Sequence, residues 1–145
     1  MFIGVFGIWV KFMKNVAIRE HHLYNKAFQR GKKQVGKYVA VYVLRDLAAE
    51  RLKNAHPQKI TVNRLGLSVS KKIGGAVERN RAKRVIRAAY DSVKQELKTG
   101  NLIVISPRTA INGAKSTEIG LELRAAFEAL GLISRPATAK DEKTL

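Results

Sequence analysis

The stretch that decides the fold runs from residue 64 to residue 98 and reads RLGLSVSKKIGGAVERNRAKRVIRAAYDSVKQELK. Its first seven residues alternate. Leu65, Leu67 and Val69 fall on one side and Gly66, Ser68 and Ser70 on the other, the period-two pattern of a half-buried strand. Gly74 and Gly75 interrupt that pattern. From about Ala76 to Lys98 the period lengthens: Ala82, Val85, Ile86, Ala89, Val93 and Leu97 form one apolar stripe, which predicts a long amphipathic helix. A strand feeding a helix of this length sets up a mixed α and β chain.

Outward from this stretch the pattern continues. Upstream, YVAVYVL at residues 38–44 is rich in β-branched and aromatic residues and reads as a strand. A shorter strand is expected at 32–35. Residues 18–30 place Ile18, Leu23, Tyr24, Ala27 and Phe28 at helical spacing, with Gly31 as a stop. The polar segment 46–60, with Pro57, reads as a long connection. Downstream, LIVIS at 102–106 is a buried-type strand that stops at Pro107. Ser116 reads as the N-cap of a last helix, with Glu118 in its first turn and Ile119, Leu123, Phe127 and Leu130 on its core face. The order helix, short strand, two strands, helix, strand, helix indicates an α+β sandwich with helices packed on a small sheet.

The flanks differ from this core. Residues 1–13 are an apolar extension, too short and too weakly flanked for a membrane span or a signal peptide, with Met13 as a candidate initiator. Residues 14–133 form the single domain, and 134–145 a polar mobile tail. A chain of 145 residues and 16.1 kDa is one domain's worth of protein and can hold a core without staples. Cysteine is absent, which removes disulfides, thiolate metal sites and cysteine nucleophiles and agrees with a reducing cytoplasm.

Charge supplies the first functional signal. The net charge is +17 and the pI about 10.5, so a polyanion is the default partner. The excess is blocked rather than spread. Residues 11–45 hold nine basic residues and one acid, and 71–87 hold seven and one, whereas 88–145 hold eight and seven. On the central helix, Asn80, Lys83, Arg84 and Arg87 lie opposite the apolar stripe, Arg81 on one flank and Arg79 nearer the core edge. Cations packed this densely, with only Glu78 close by, repel one another unless a polyanion covers them. Arginine suits forked contacts to phosphate. The alternative is a solvated helix face that happens to be basic. Neutralising about five phosphates corresponds to a log–log salt slope of roughly −3.5 to −4.5.

A second signal is aromatic. Tyr24 and Phe28 share a helix face, and Tyr38 and Tyr42 are expected to share a strand face across Ala40. Single-stranded bases can stack on such rings, with Lys32, Lys33 and Lys37 nearby, although the same rings can serve as core. Chemistry-bearing groups are otherwise sparse. The three histidines, His21, His22 and His56, lack metal-ligand spacing, and no nucleophilic triad or glycine-rich phosphate loop is present. Carboxylates are few and mostly in the C-terminal third, which makes a two-metal nuclease centre hard to assemble, and no small-molecule substrate is expected.

The segment from Lys71 to Arg87, KKIGGAVERNRAKRVIR, closely resembles the signature of the bacterial ribonuclease P protein component, including its Arg-Asn-Arg element at Arg79, Asn80 and Arg81. RLGLSVS leading in, YNKAFQRGKK upstream and YVAVYVL between them agree with it, and the resemblance spans about Ile18 to Leu130. It implies a two-layer α-β sandwich with a four-stranded sheet and three helices, in the order α-β-β-β-α-β-α. It also implies a left-handed β-α-β crossover, which general rules would have drawn right-handed.

The resemblance further implies a cytoplasmic endoribonuclease holoenzyme whose catalyst is an RNA subunit, using Mg²⁺ bound mainly by RNA. This chain would supply no catalytic or metal-binding side chain. Its implied partners are that RNA and precursor tRNA, whose 5′ leader is cut away to leave the mature end. Carried over by position, the RNA-subunit face is Lys71, Lys72, Arg79, Asn80, Arg81, Lys83, Arg84 and Arg87. The leader-binding residues are Tyr24, Phe28, Tyr42, Ser68, Ser70 and Arg108. Ala88 stands where the family commonly has an acid after the final arginine. Two other classes compete: a structural ribosomal or RNA-chaperone protein, and a DNA-binding regulator. The latter lacks a partner helix at helix-turn-helix spacing.

Overall fold

In the computed structural model, which describes residues 15–48, 51, 55 and 62–133, one mixed sheet organises the chain. Its strands are β1 (Val16–Ala17), β2 (Lys32–Val35), β3 (Val39–Arg45), β4 (Arg64–Leu67) and β5 (Asn101–Pro107). They lie in the order β1-β4-β5-β3-β2. β4 is parallel to both β1 and β5, and β3 is antiparallel to β5 and β2. The helices are α1 (His21–Arg30), α2 (Ala76–Val93) and α3 (Ser116–Ala129). α2 is the crossover between the parallel neighbours β4 and β5. Short 3₁₀ turns at Lys71–Ile73, Lys94–Glu96 and Thr109–Ile111 lead into or out of these elements.

Strand alternation sorts the core into two halves. Val39, Val41 and Val43 of β3, with Ile103 and Ile105 of β5, pack against Ala82, Ile86 and Ala89 of α2 and Ile119, Leu123 and Phe127 of α3. On the opposite face, Leu102 and Val104 pack with Ala27 of α1 and with Ile18, flanked by Leu23, Tyr24, Tyr42 and Leu44. Helices therefore cover both faces of the sheet: α2 and α3 together on one, α1 alone on the other. That asymmetry leaves part of the α1 face open. Phe127 and Ile86 are fully buried, and truncation to alanine would cost about 3–5 kcal/mol at Phe127 and about 2–5 kcal/mol at Ile86.

The α+β class stands, with differences in detail. The sheet has five strands rather than four, because Val16–Ala17 adds a parallel edge to β4. Ile18 is not helical; it continues this edge, and its N–H donates to Leu65 O at 3.0 Å. Ser116 is the first helical residue rather than the cap. Lys115 precedes it, and its N–H donates to the Glu118 carboxylate at 3.2 Å. The expected extension at 1–13 and tail at 134–145 lie outside the described residues, as does most of the expected connection at 46–60; where that connection is described, Leu47, Ala48, Arg51 and Ala55 are helical.

Tyr38 does not share a face with Tyr42. β3 begins at Val39, and Tyr38 packs with the α2/α3 half of the core. The turn before β3 is fixed by hydrogen bonds. The Glu122 carboxylate of α3 accepts the N–H groups of Lys37, Tyr38 and Val39.

Candidate nucleic-acid interface

α2 positions most of the cationic residues. Its buried stripe of Ala82, Ile86, Ala89, Tyr90 and Val93 turns Asn80, Arg84 and Arg87 outward, and all three are exposed. Lys83 and Arg79 are half-buried on one flank, and Arg79 Nε donates to Gly75 O at 3.4 Å. Among the described residues, Arg79, Lys83, Arg84 and Arg87 have no carboxylate within ion-pair distance. The one acid on this face, Asp91, pairs with Lys94 at 3.1 Å and accepts from Asn15 Nδ2 at 3.0 Å. Lys71 and Lys72 are exposed at the approach to α2. Ser70 Oγ accepts the Lys72 N–H at 3.3 Å and so starts their turn.

Arg81 is placed differently. On the other flank of α2, its Nη2 donates to Ala114 O at 2.9 Å and its Nη1 to Ile111 O at 3.5 Å. These bonds tie α2 to the segment that leads into α3. The helical period put Arg81 on a flank, but a carbonyl partner thirty residues away leaves no mark in the local sequence.

The aromatic residues gather on the open α1 face. Phe28 and Tyr42 meet edge-on, with ring centroids 4.7 Å apart and planes at 85°, and Phe28 keeps 37% exposure. Tyr24 lies across β4 at Gly66. A Cβ at Gly66 would stand 2.7 Å from three atoms of the Tyr24 phenol, so glycine is what lets the ring lie on the strand. Tyr24 also borders a cleft of about 400 Å³, lined by Asn15, Ala17, Tyr24, Leu65, Leu67, Lys83 and Arg87. Tyr24 and the Lys83 and Arg87 flank of the basic helix therefore share one depression.

Ser68 follows β4, is half-buried and donates its N–H to Ile105 O at 3.1 Å. Arg108 sits apart from the ring pair. Tyr42 is opposite Val104, and Arg108 lies four residues further on, about 13 Å along an extended chain. Its N–H donates to Tyr38 O at 2.7 Å and its Nη1 to Gly36 O at 2.6 Å. It braces the β2–β3 turn. Ser106, not anticipated, pairs with Ala40 on the same face as Tyr42 and Val104. The alternation Leu102, Val104, Ser106 was the signal for it.

Among the described residues no three His, Asp or Glu side chains converge to hold a metal. Nor is any helix there long and apolar enough to cross a membrane. The buried Tyr90 phenol is pushed well above its ordinary pKa, first by desolvation and then by Asp91, with a hydrogen bond to Asn63 opposing.

The family model for ribonuclease P matches residues 12–131. The ribonuclease P protein component of Clostridium acetobutylicum is 33% identical over 121 residues, 83% of this chain and 93% of the relative. That of Bacillus velezensis is 36% identical over 97 residues, 67% of this chain and 74% of the relative. In fold, the chain is similar to the RNase P protein of Staphylococcus aureus solved at 2.0 Å, with a TM-score of 0.65, 23% identity, and coverage of 83% of this chain and all of that one. The Thermotoga maritima protein gives 0.59 at 22% identity, covering 74% and 94%.

Fold and charge define the class: a small, strongly basic α+β protein. Within that class, the chain belongs to the ribonuclease P protein component family and has that component's place in tRNA processing.

Proposed function

We propose that this chain works as a two-sided RNA clamp in the ribonuclease P holoenzyme. One side, Lys71, Lys72, Asn80, Lys83, Arg84 and Arg87, grips the catalytic RNA subunit. The other, around Tyr24, Phe28, Tyr42 and Ser68, holds the 5′ leader of precursor tRNA in the cytoplasm. The observation that carries this reading is the shared cleft, in which Tyr24 faces Lys83 and Arg87. A general RNA chaperone needs the basic helix but has no use for an aromatic wall beside it.

On this reading the chemistry belongs to the RNA. Hydrolysis at the start of the mature tRNA would be catalysed by the RNA subunit with its own Mg²⁺, and the protein would contribute affinity and placement. Stacking of leader bases supplies about 1–3 kcal/mol per base without demanding a sequence. The Arg84 and Arg87 guanidiniums supply forked phosphate contacts. Single-turnover cleavage of a precursor tRNA by a bacterial ribonuclease P RNA at low Mg²⁺, with and without this protein, tests it. Restored cutting at the mature 5′ end is expected. RNA binding without stimulation would return the chain to the structural RNA-binding class.

A further inference from the structure

We propose that Lys33 is a leader-phosphate contact, a role that rests on the cleft reading above and deepens it. Sequence places three lysines near the aromatic face, Lys32, Lys33 and Lys37, without ranking them. The strand register separates them. In the β2–β3 ladder, Lys33 is opposite Tyr42 and Lys32 is opposite Val43. Val43 belongs to the α2/α3 half of the core, so Lys32 projects on the far side of the sheet from the rings. Lys37 is drawn away as well, with its Nζ 5.3 Å from the ring of Tyr38, which packs in that same far half.

Lys33 alone stands on the side of the sheet that carries the ring pair Phe28 and Tyr42. Its Nζ stands 5.7 Å from the centroid of Tyr42, whose ring meets Phe28 edge-on at 4.7 Å. Among the described residues no carboxylate pairs with it. β2 is an edge strand, and Lys33 is exposed. An ammonium held beside a ring where a base would stack is placed to meet the phosphate joined to that base, combining stacking with charge.

The test uses the reconstituted holoenzyme with precursor tRNA and mature tRNA. Lys33→Ala should weaken precursor binding by about 3–10-fold, leave mature tRNA binding unchanged and reduce the log–log salt slope by about 0.7 to 1. Lys32→Ala, which removes the same charge from the other face, should leave the preference intact. A leader carrying a neutral methylphosphonate at successive linkages should lose its sensitivity to Lys33→Ala at one position. Equal effects of the two lysine changes, or an unchanged preference in Lys33→Ala, would overturn the proposal while the cleft reading survives. A wild-type holoenzyme with no preference for the leader would instead remove the cleft reading itself.

Discussion

Glu122 of α3 holds the backbone at Tyr38: its Oε2 accepts the Tyr38 N–H at 2.9 Å and the Val39 N–H at 2.9 Å, and its Oε1 accepts from Lys37. One carboxylate thus gathers three successive backbone donors across the end of the sheet and fixes where β3 begins. Hydrogen bonds to a charged acceptor are worth about 1.5–3 kcal/mol each, and their donors would be left unpaired without it. Glu122→Ala is therefore expected to lower stability by about 2–4 kcal/mol in urea unfolding. Gly36→Ala should do part of the same damage, because its Cβ would stand 2.5 Å from the Glu122 carboxylate. The two losses should be less than additive, since both break one contact.

Arg64 joins two acids at the other end of the sheet. Its Nε donates to Asp46 Oδ2 at 2.7 Å and its Nη1 to Glu20 Oε2 at 2.9 Å. Asp46 is 3% exposed and keeps the Ala48 N–H, so Arg64→Ala takes the cationic partner from a buried carboxylate and should cost about 3 kcal/mol, measured by thermal or urea unfolding.

The same cluster gives an acid limb. The Glu20 carboxyl is held below its ordinary value of 4.5, chiefly by a hydrogen bond from its own backbone amide, with Arg64 adding to it. A depressed carboxyl contributes stability above its unfolded pKa and loses it as pH falls through the folded value. The unfolding free energy should therefore drop below about pH 4.5, and Glu20→Gln should make that limb shallower while leaving neutral pH little changed.

Arginines on α2 divide into two kinds of effect. Arg84→Ala with Arg87→Ala removes exposed, unpaired cations, so stability should hold. Assembly with the RNA subunit should weaken, and the salt slope should fall by about 1 per residue. Arg81→Ala removes bonds to Ala114 O and Ile111 O and should cost about 1–3 kcal/mol of stability. Chemical denaturation and filter binding across a salt series separate the two. Loss of RNA affinity in Arg81→Ala without loss of stability would return Arg81 to the interface.

These cases mark how far the sequence can be read. Period-two alternation in RLGLSVS assigned Leu65 and Leu67 to one side and Gly66 to the other, and the helical period turned Arg84 and Arg87 outward. Both are local regularities that burial enforces. The same alternation carried one residue too far at Tyr38, because the start of β3 is set by Glu122 and Arg108, more than sixty positions away. Val16–Ala17 was invisible for another reason: two residues show no period, and their strand exists only because β4 offers a free edge. The cleft between Tyr24 and Lys83 needed the tertiary fold, since its walls come from β1, α1, β4 and α2.

Gly66 and Tyr24 give the sharpest test of the aromatic wall. With no side chain at Gly66, the phenol lies against the strand, its Oη also reaching Ile18 O at 3.4 Å. Gly66→Ala places a methyl 2.7 Å from the ring, and the ring must leave or the strand must shift, a strain of about 1–3 kcal/mol. Tyr24→Ala makes room, so the double variant should recover much of the stability lost in Gly66→Ala. It should not recover leader discrimination, because the stacking surface is gone; precursor affinity should stay reduced roughly 5–160-fold, the range for one stacked base. A double variant with full stability and full preference for precursor over mature tRNA would show that Tyr24 only fills space. Stability restored without discrimination would mean that the ring's position over Gly66 serves the leader rather than the core.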